Sequence, residues 1–278
     1  MIHEIGLHQM HNEFRKQMPK PSDYVIYCEG SKVLLRKEAE NYAIPKIFEV
    51  EKICPGSSAK FHYLFSIDDS AYFSADENWA LGNAGYEMTS DRAFRRFEDL
   101  TLALGGVTAA HISRWENSNR FCGHCGSLMS RSEIERAFIC KKCGEVVYPK
   151  ISPVVIVSVT DGDKLLMARN LNNPDLKRYL ISGFVDVGES LEQAVAREVK
   201  EETGVSIRNI RYISSQPWGF SNSLIAGFTA ELSGDPSIRV QQSELAEALW
   251  VSRKDIPDYD GRLSISGLMI KRFKDGTL

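Results

Sequence analysis

The chain has 278 residues, 43% hydrophobic and 26% charged, with a formal net charge of −3. That composition excludes a disordered or low-complexity protein. It also provides no broad electrostatic footprint for nucleic acid or an anionic membrane. Length suggests about two domains, each long enough to bury its own core.

The first ten residues, Met1 to Met10, carry an acid and histidines where a signal peptide needs an apolar stretch. No apolar run approaches the ~18 residues needed to cross a bilayer. The expectation is a cytoplasmic chain, in which the six cysteines stay reduced and paired spacings mean metal rather than disulfides.

Residues 1–119 read as a β-rich N-terminal domain. Tyr24–Cys28 and Val33–Arg36 flank Glu29-Gly-Ser-Lys32 as a hairpin, with further strand-like runs at Ile47–Val50 and Phe61–Phe65. Helical segments are expected between Phe94 and Asn117. Asp68, Asp69 and Asp76 read as turn residues, and Cys28 and Cys54 as buried thiols.

Residues 120–147 form a cysteine-bearing insert. Cys122-Gly-His-Cys125 and Cys140-Lys-Lys-Cys143 are separated by fourteen residues. Two such turns place four thiolates at tetrahedral corners around Zn²⁺. With four cysteine ligands the site is closed, so the zinc is structural. The same spacing is compatible with holding a fold, mediating dimerisation or touching nucleic acid.

From residue 148 to 278 strands and helices interleave, which predicts an α/β (α+β) layered domain. Val154–Val159, the turn Asp161-Gly-Asp163 and Leu165–Met167 form a strand, turn and strand. A helix is expected at 190–203, strands near 208–214 and 223–232, and helical segments near 242–248 and 264–274.

The 190–203 helix carries the chemistry. Ser190 and Gln193 make a capping box and Gly204 ends the helix. Leu191, Ala194, Val195 and Val199 supply the buried stripe. Glu198, Glu201 and Glu202 stand at i, i+3 and i+4, so three carboxylates share one face. Their repulsion would be relieved by a hard divalent cation such as Mg²⁺, and a solvated acidic face is the alternative for the helix taken alone. Arg197 can anchor the preceding loop through Glu189.

The segment from Gly183 to Val205 resembles the Nudix hydrolase motif at each defining position: Gly183, Glu189, Arg197, Glu198, Glu201, Glu202 and Gly204. The resemblance implies the Nudix fold and metal-dependent cleavage of a nucleoside diphosphate linked to another moiety. It makes Glu198, Glu201 and Glu202 catalytic residues and ligands for Mg²⁺ or Mn²⁺, with the carbonyl of Ser182 as a backbone ligand. Gly183, Glu189, Arg197 and Gly204 would be structural.

Downstream, Ser215-Gln-Pro-Trp-Gly-Phe-Ser-Asn-Ser223 resembles the array of the NADH pyrophosphatase branch, with Gly219 and Ser221 standing where two prolines are usual. Tyr148-Pro149 and the segment Ser243–Trp250 resemble further parts of that branch, which also carries a four-cysteine ribbon. The resemblance implies Glu244 as another metal ligand. It implies Tyr148, Phe184, Gln216, Pro217, Trp218, Phe220, Ser223 and Ser266 as substrate-binding residues. The expected reaction converts NADH or NAD⁺ to nicotinamide mononucleotide and AMP in a homodimer. The alternatives are removal of an NAD cap from RNA, for which Lys141, Lys142 and Lys150 are nearby cations, and hydrolysis of ADP-ribose or another dinucleotide.

Overall fold

The computed structural model describes residues 1–80, 82–83, 85–171 and 177–278. The chain divides into two compact units. One contains residues 3–150 with 219–222, and the other contains residues 1–2, 151–218 and 223–278. Among the described residues, no helix is long and apolar enough to cross a membrane.

The first unit holds two small sheets, one long helix and the cysteine segment. In one sheet the strands run in the order Met10–His11, His62–Ile67, Ser70–Ser74, Tyr24–Ile26. In the other, Lys32–Glu38 pairs with Cys28–Glu29, Asn41–Ala43 and Tyr86–Ser90. The helix Leu100–Ser118 starts at Asp99, whose carboxylate accepts the Thr101 N–H at 2.7 Å. A separate 3₁₀ turn, Asp91–Arg96, precedes it. In the cysteine segment, Val146–Val147, Phe138–Ile139 and Ser130–Arg131 form a three-stranded sheet.

Three local expectations change here. The expected hairpin is shorter: Cys28 and Glu29 pair with Val33 and Lys32, while Tyr24–Ile26 leaves to run parallel to Ser70–Ser74. Ile47–Ile53 is a helix rather than a strand. Its Ile47 and Val50 are buried at helical spacing, and the Glu49 carboxylate accepts the Lys46 N–H at 2.8 Å, which closes the first turn. Cys54, which follows this helix, is exposed; Cys28 is buried, and burial pushes its thiol up to about 12.

The second unit is a six-stranded sheet between helices. Its main path runs Ile207–Trp218, Ser223–Leu232, Ser152–Asp161, Lys164–Asn170, Leu245–Ser252, with Ile181–Phe184 also paired to Ser152–Asp161. Ser152–Asp161 runs parallel to Ser223–Leu232, and the other pairings are antiparallel. Val155, Val157, Val159, Leu166 and Ala168 face one core, which the helix Leu191–Thr203 covers through Ala194, Val195 and Val199. Ile156, Leu165 and Met167 face a second core with Ile265, Met269, Ile270 and Phe273 of the helix Ile265–Asp275. A sheet buried on both faces needs apolar residues on successive positions, which accounts for the unbroken run Val154–Val157.

The segment expected as helix near 242–248 is instead the start of the strand Leu245–Ser252, paired antiparallel with Lys164–Asn170. Leu245, Ala248 and Trp250 pack against the first core, and Leu249 and Val251 against the second. Burial on both sides outweighs the helix propensity of Glu-Leu-Ala-Glu-Ala-Leu.

Candidate active site

The acidic helix Leu191–Thr203 begins at Ser190, whose hydroxyl accepts the Gln193 N–H at 3.2 Å while the Gln193 side chain accepts the Ser190 N–H at 2.8 Å. It ends at Gly204, with φ of 72°. The helix lies against the strand Ile181–Phe184, and the approach is close. A Cβ added to Gly183 would stand 2.0 Å from the Glu198 carboxyl carbon. Only glycine leaves room for that carboxylate. Gly183→Ala must therefore push Glu198 off its position, and misplacement on the ångström scale costs on the order of 10²-fold in rate. The expected outcome is that loss in kcat with secondary structure retained; steady-state kinetics beside a circular dichroism spectrum checks it.

Arg197 ties the loop before the helix to the carboxylates. Its Nε and Nη2 donate to the two Glu189 oxygens at 2.6 and 2.9 Å, and Nη2 also donates to the Phe184 carbonyl at 2.9 Å. Nη1 donates to Glu198 at 2.8 Å and to Glu201 at 3.0 Å. Glu189 accepts the Asp186 N–H at 3.0 Å as well, so one guanidinium fixes both ends of the loop.

Glu198 and Glu202 are buried, whereas Glu201 and Glu244 are exposed. Burial raises the Glu202 carboxyl to about 8, with the charges of Glu198, Glu244 and Glu201 adding to the effect. Burial also raises Glu198, partly offset by Arg197. Glu244 reaches this group because residues 239–245 lie along the end of the helix: the Arg239 N–H donates to the Thr203 carbonyl at 2.8 Å and the Gln241 N–H to the Glu202 carbonyl at 2.9 Å. Among the described residues, no cationic side chain pairs with Glu202 or Glu244. Carboxylate oxygens are the donor type that Mg²⁺ or Mn²⁺ accepts, but among the described residues no three of these carboxylates bring oxygens within 4.8 Å of one another, as the four cysteine sulfurs do.

The four ribbon cysteines converge. Sγ of Cys122 lies 3.6 Å from that of Cys143, Sγ of Cys125 lies 3.5 Å from that of Cys140, and all four lie within 4.8 Å of one another. Tetrahedral zinc with bonds of ~2.3 Å would separate the sulfurs by about 3.8 Å, so the cluster has the right size and chemistry.

The aromatic array is divided between the units. Phe184 is exposed, Pro217 is exposed, Trp218 is half-buried and Ser223 is buried, all in the second unit. Ser266 is half-buried there, and among the described residues its hydroxyl has no hydrogen-bond partner. Ser182 occupies the strand position opposite Ile156. Tyr148 and Phe220 belong to the first unit, where the Tyr148 hydroxyl donates to Glu135 at 3.2 Å.

Gln216 lies deeper than the rest of the array. It is completely buried; its Nε2 donates to the Leu263 carbonyl at 2.9 Å and its Oε1 accepts the Ile265 N–H at 2.7 Å. The amide fixes the start of the helix Ile265–Asp275. Spacing along the chain could not disclose this, because the partners lie 47 and 49 residues away.

Sequence reasoning also missed what holds residues 219–222. Arg114 donates to the Gly219 carbonyl and to Asn222 Oδ1, the latter at 3.1 and 3.2 Å, and pairs with Asp91 at 2.7 Å. The Arg95 guanidinium sits 5.1 Å over the Phe220 ring. A Cβ on Gly219 would stand 2.8 Å from the Val107 carbonyl oxygen, a backbone atom. Glycine stands where the resembling array has proline because this loop packs directly on a helix backbone. Gly219→Ala is expected to destabilise by ~1–3 kcal/mol through overpacking, read as a lower thermal midpoint.

Residues 150–270 match the family described as NUDIX domain, and residues 117–148 match the NADH pyrophosphatase zinc ribbon domain. The chain carries a Nudix domain. It is 45% identical over 157 residues to a protein of Salmonella heidelberg (strain SL476) named NAD-capped RNA hydrolase NudC, and equally to one of the same name from Shigella flexneri. Each match covers 56% of this chain and 59% of the relative, so the chain spans rather more than half the length of the curated relatives it matches. The crystal structure of a NUDIX hydrolase from Nitrosomonas europaea shares the fold, with a TM-score of 0.50 and 24% identity over 56% of this chain and 90% of that one. The Nudix domain holds the carboxylate group described above, and the ribbon domain holds the four cysteines.

Proposed function

We propose that this chain is a metal-dependent Nudix pyrophosphohydrolase that cleaves the pyrophosphate of NADH or NAD⁺, yielding nicotinamide mononucleotide and AMP. The observation that carries the reading is the group of carboxylates around buried Glu202, beneath the glycine strand, in a Nudix domain that follows an NADH pyrophosphatase zinc ribbon. Glu198, Glu201, Glu202, Glu244 and the Ser182 carbonyl would hold Mg²⁺ or Mn²⁺. Bound there, the ion would neutralise pyrophosphate charge and lower the pKa of a coordinated water.

The chain's own residues do the positioning. Arg197 and Glu189 hold the loop and helix in register. Within the second unit, Phe184 and Trp218 offer aromatic faces for nicotinamide or adenine, and Ser223 and the Ser266 hydroxyl offer polar contacts. Gln216 acts through the helix start that presents Ser266. The ribbon zinc is structural, and the enzyme works in the cytoplasm as a homodimer.

Trp218→Ala tests the dinucleotide reading. The expected result is a loss of about tenfold or more in kcat/KM for NADH, the scale of one aromatic stacking partner, with an unchanged melting midpoint. Unaltered kinetics would remove Trp218 from the binding site.

A second reading, removal of an NAD cap from RNA, is supported by the relatives, which are named NAD-capped RNA hydrolase. It uses the same carboxylates on the same linkage. Cleavage of capped RNA that weakens steeply with salt supports it, because contacts to further phosphates are salt-dependent. Indifference to the attached RNA counts against it.

A further inference from the structure

A cleft lies wholly within the first unit. It encloses about 340 Å³ and is bounded by residues 14–18, 61–64, 112–116 and 131–138. That volume falls at the lower end of small-molecule sites. Phe14, Phe61, Tyr63, Trp115 and Phe138 supply aromatic surface.

The charges around it are mostly matched. Arg131 pairs with Glu116 at 3.2 Å and Asp76 at 2.8 Å, Lys16 pairs with Glu133, and Arg15 pairs with Glu13. Glu135 accepts from Tyr148. Arg136 is the exception. Its guanidinium donates to two neutral acceptors, the Leu64 carbonyl and Asn12 Oδ1 at 3.1 Å, and among the described residues no carboxylate stands within ion-pair reach. Glu116 acts on it only from beyond that reach, so the half-buried guanidinium has no directly paired carboxylate and favours an anion.

Two further donors are unmatched. Among the described residues, the indole N–H of Trp115, a residue only 4% exposed, and the buried Tyr63 hydroxyl have no hydrogen-bond partner. Both residues line the cleft. A planar guanidinium matches phosphate oxygens in a fork, and aromatic walls match a heterocycle.

We propose that this cleft binds a nucleoside 5′-monophosphate, its phosphate on Arg136 and its base against the aromatic wall. The site needs neither the carboxylate group nor the divalent ion.

The test is calorimetric titration of the zinc-loaded full chain with AMP, without added magnesium or manganese. Adenosine, inorganic phosphate and a 5′-phosphorylated oligonucleotide are titrated in parallel. AMP should bind more tightly than adenosine or phosphate. Arg136→Met should weaken AMP at least about tenfold, the scale of a charge-assisted hydrogen bond, and Trp115→Phe should weaken it by a smaller factor. Trp218→Ala should leave it unchanged, since that residue lies in the Nudix domain. If Arg136→Met unfolds, Arg136→Lys keeps the charge and loses the fork, and it should still weaken AMP. Equal affinity in Arg136→Met or Arg136→Lys and wild type overturns the proposal, as does abolition by Trp218→Ala. Phosphate binding as tightly as AMP removes the base from the reading. Binding of the oligonucleotide but not AMP replaces the small ligand with a nucleic acid.

Discussion

Glu202→Gln is expected to lower turnover at least ~10²-fold, the scale on which removing one electrostatic group from an active site acts, while leaving the protein folded. The position is buried, and its carboxylate stands among the charges of Glu198, Glu244 and Glu201. Removing one negative oxygen from that group weakens any divalent ion held there. In the metal-free protein the raised Glu202 carboxyl is mostly protonated below about pH 8, so the amide resembles it in the folded state. Stability of the variant therefore holds at acid pH, rises relative to wild type once the unfolded chain's carboxyl ionises, and stands highest above about pH 8, where the amide avoids a buried charge. Activity and metal-free stability should therefore move in opposite directions: kcat falls, and the melting midpoint holds or rises. Parallel kinetics and thermal melts read both. A variant that keeps near-normal turnover would remove Glu202 from the proposed metal site. One that loses activity and melting temperature together would make the residue structural.

Cys140→Ser is expected to abolish zinc retention and unfold the ribbon. The segment 117–148 is too short to bury a sufficient core, and its three strands are only two residues each. Structural zinc in such modules contributes ~10–16 kcal/mol of apparent binding free energy, which is folding free energy there. Cys140 is buried, with its sulfur 3.5 Å from that of Cys125, so a serine oxygen replaces a thiolate inside the cluster. Metal analysis should show the zinc lost, and hydrogen exchange should show rapid amide exchange across the ribbon. A variant that keeps its zinc and its protection would mean that the other three cysteines suffice.

What was legible in the sequence was mostly local. The acidic helix reads directly because its cap, apolar stripe and glycine stop are all within fifteen residues, Ser190 to Gly204. The paired cysteines and the Val154–Met167 hairpin are of the same kind. The sequence suggests strand at Ile47–Val50 and helix near 242–248, where the structure has helix and strand, because short apolar runs satisfy either period and tertiary burial decides between them. The Arg114 contacts with Gly219 and Asn222 span 105 and 108 residues, and no pattern along the chain records them. The same holds for Gln216, whose motif context suggested a ligand contact while its amide binds the start of a helix 49 residues on. The glycine at position 219 marks a close approach whose cause, the Val107 backbone, is visible only in three dimensions.

The central claim is that the Nudix carboxylates cut a dinucleotide pyrophosphate. Its most direct test offers the purified protein NADH, NAD⁺ and ADP-ribose in parallel, with Mg²⁺ or Mn²⁺, and identifies the products by mass. The expected result is nicotinamide mononucleotide, reduced or oxidised, plus AMP, formed from NADH or NAD⁺ faster than ADP-ribose is cut. Faster cleavage of ADP-ribose would contradict the substrate, and no cleavage of any of the three with either metal would contradict the activity on free dinucleotides.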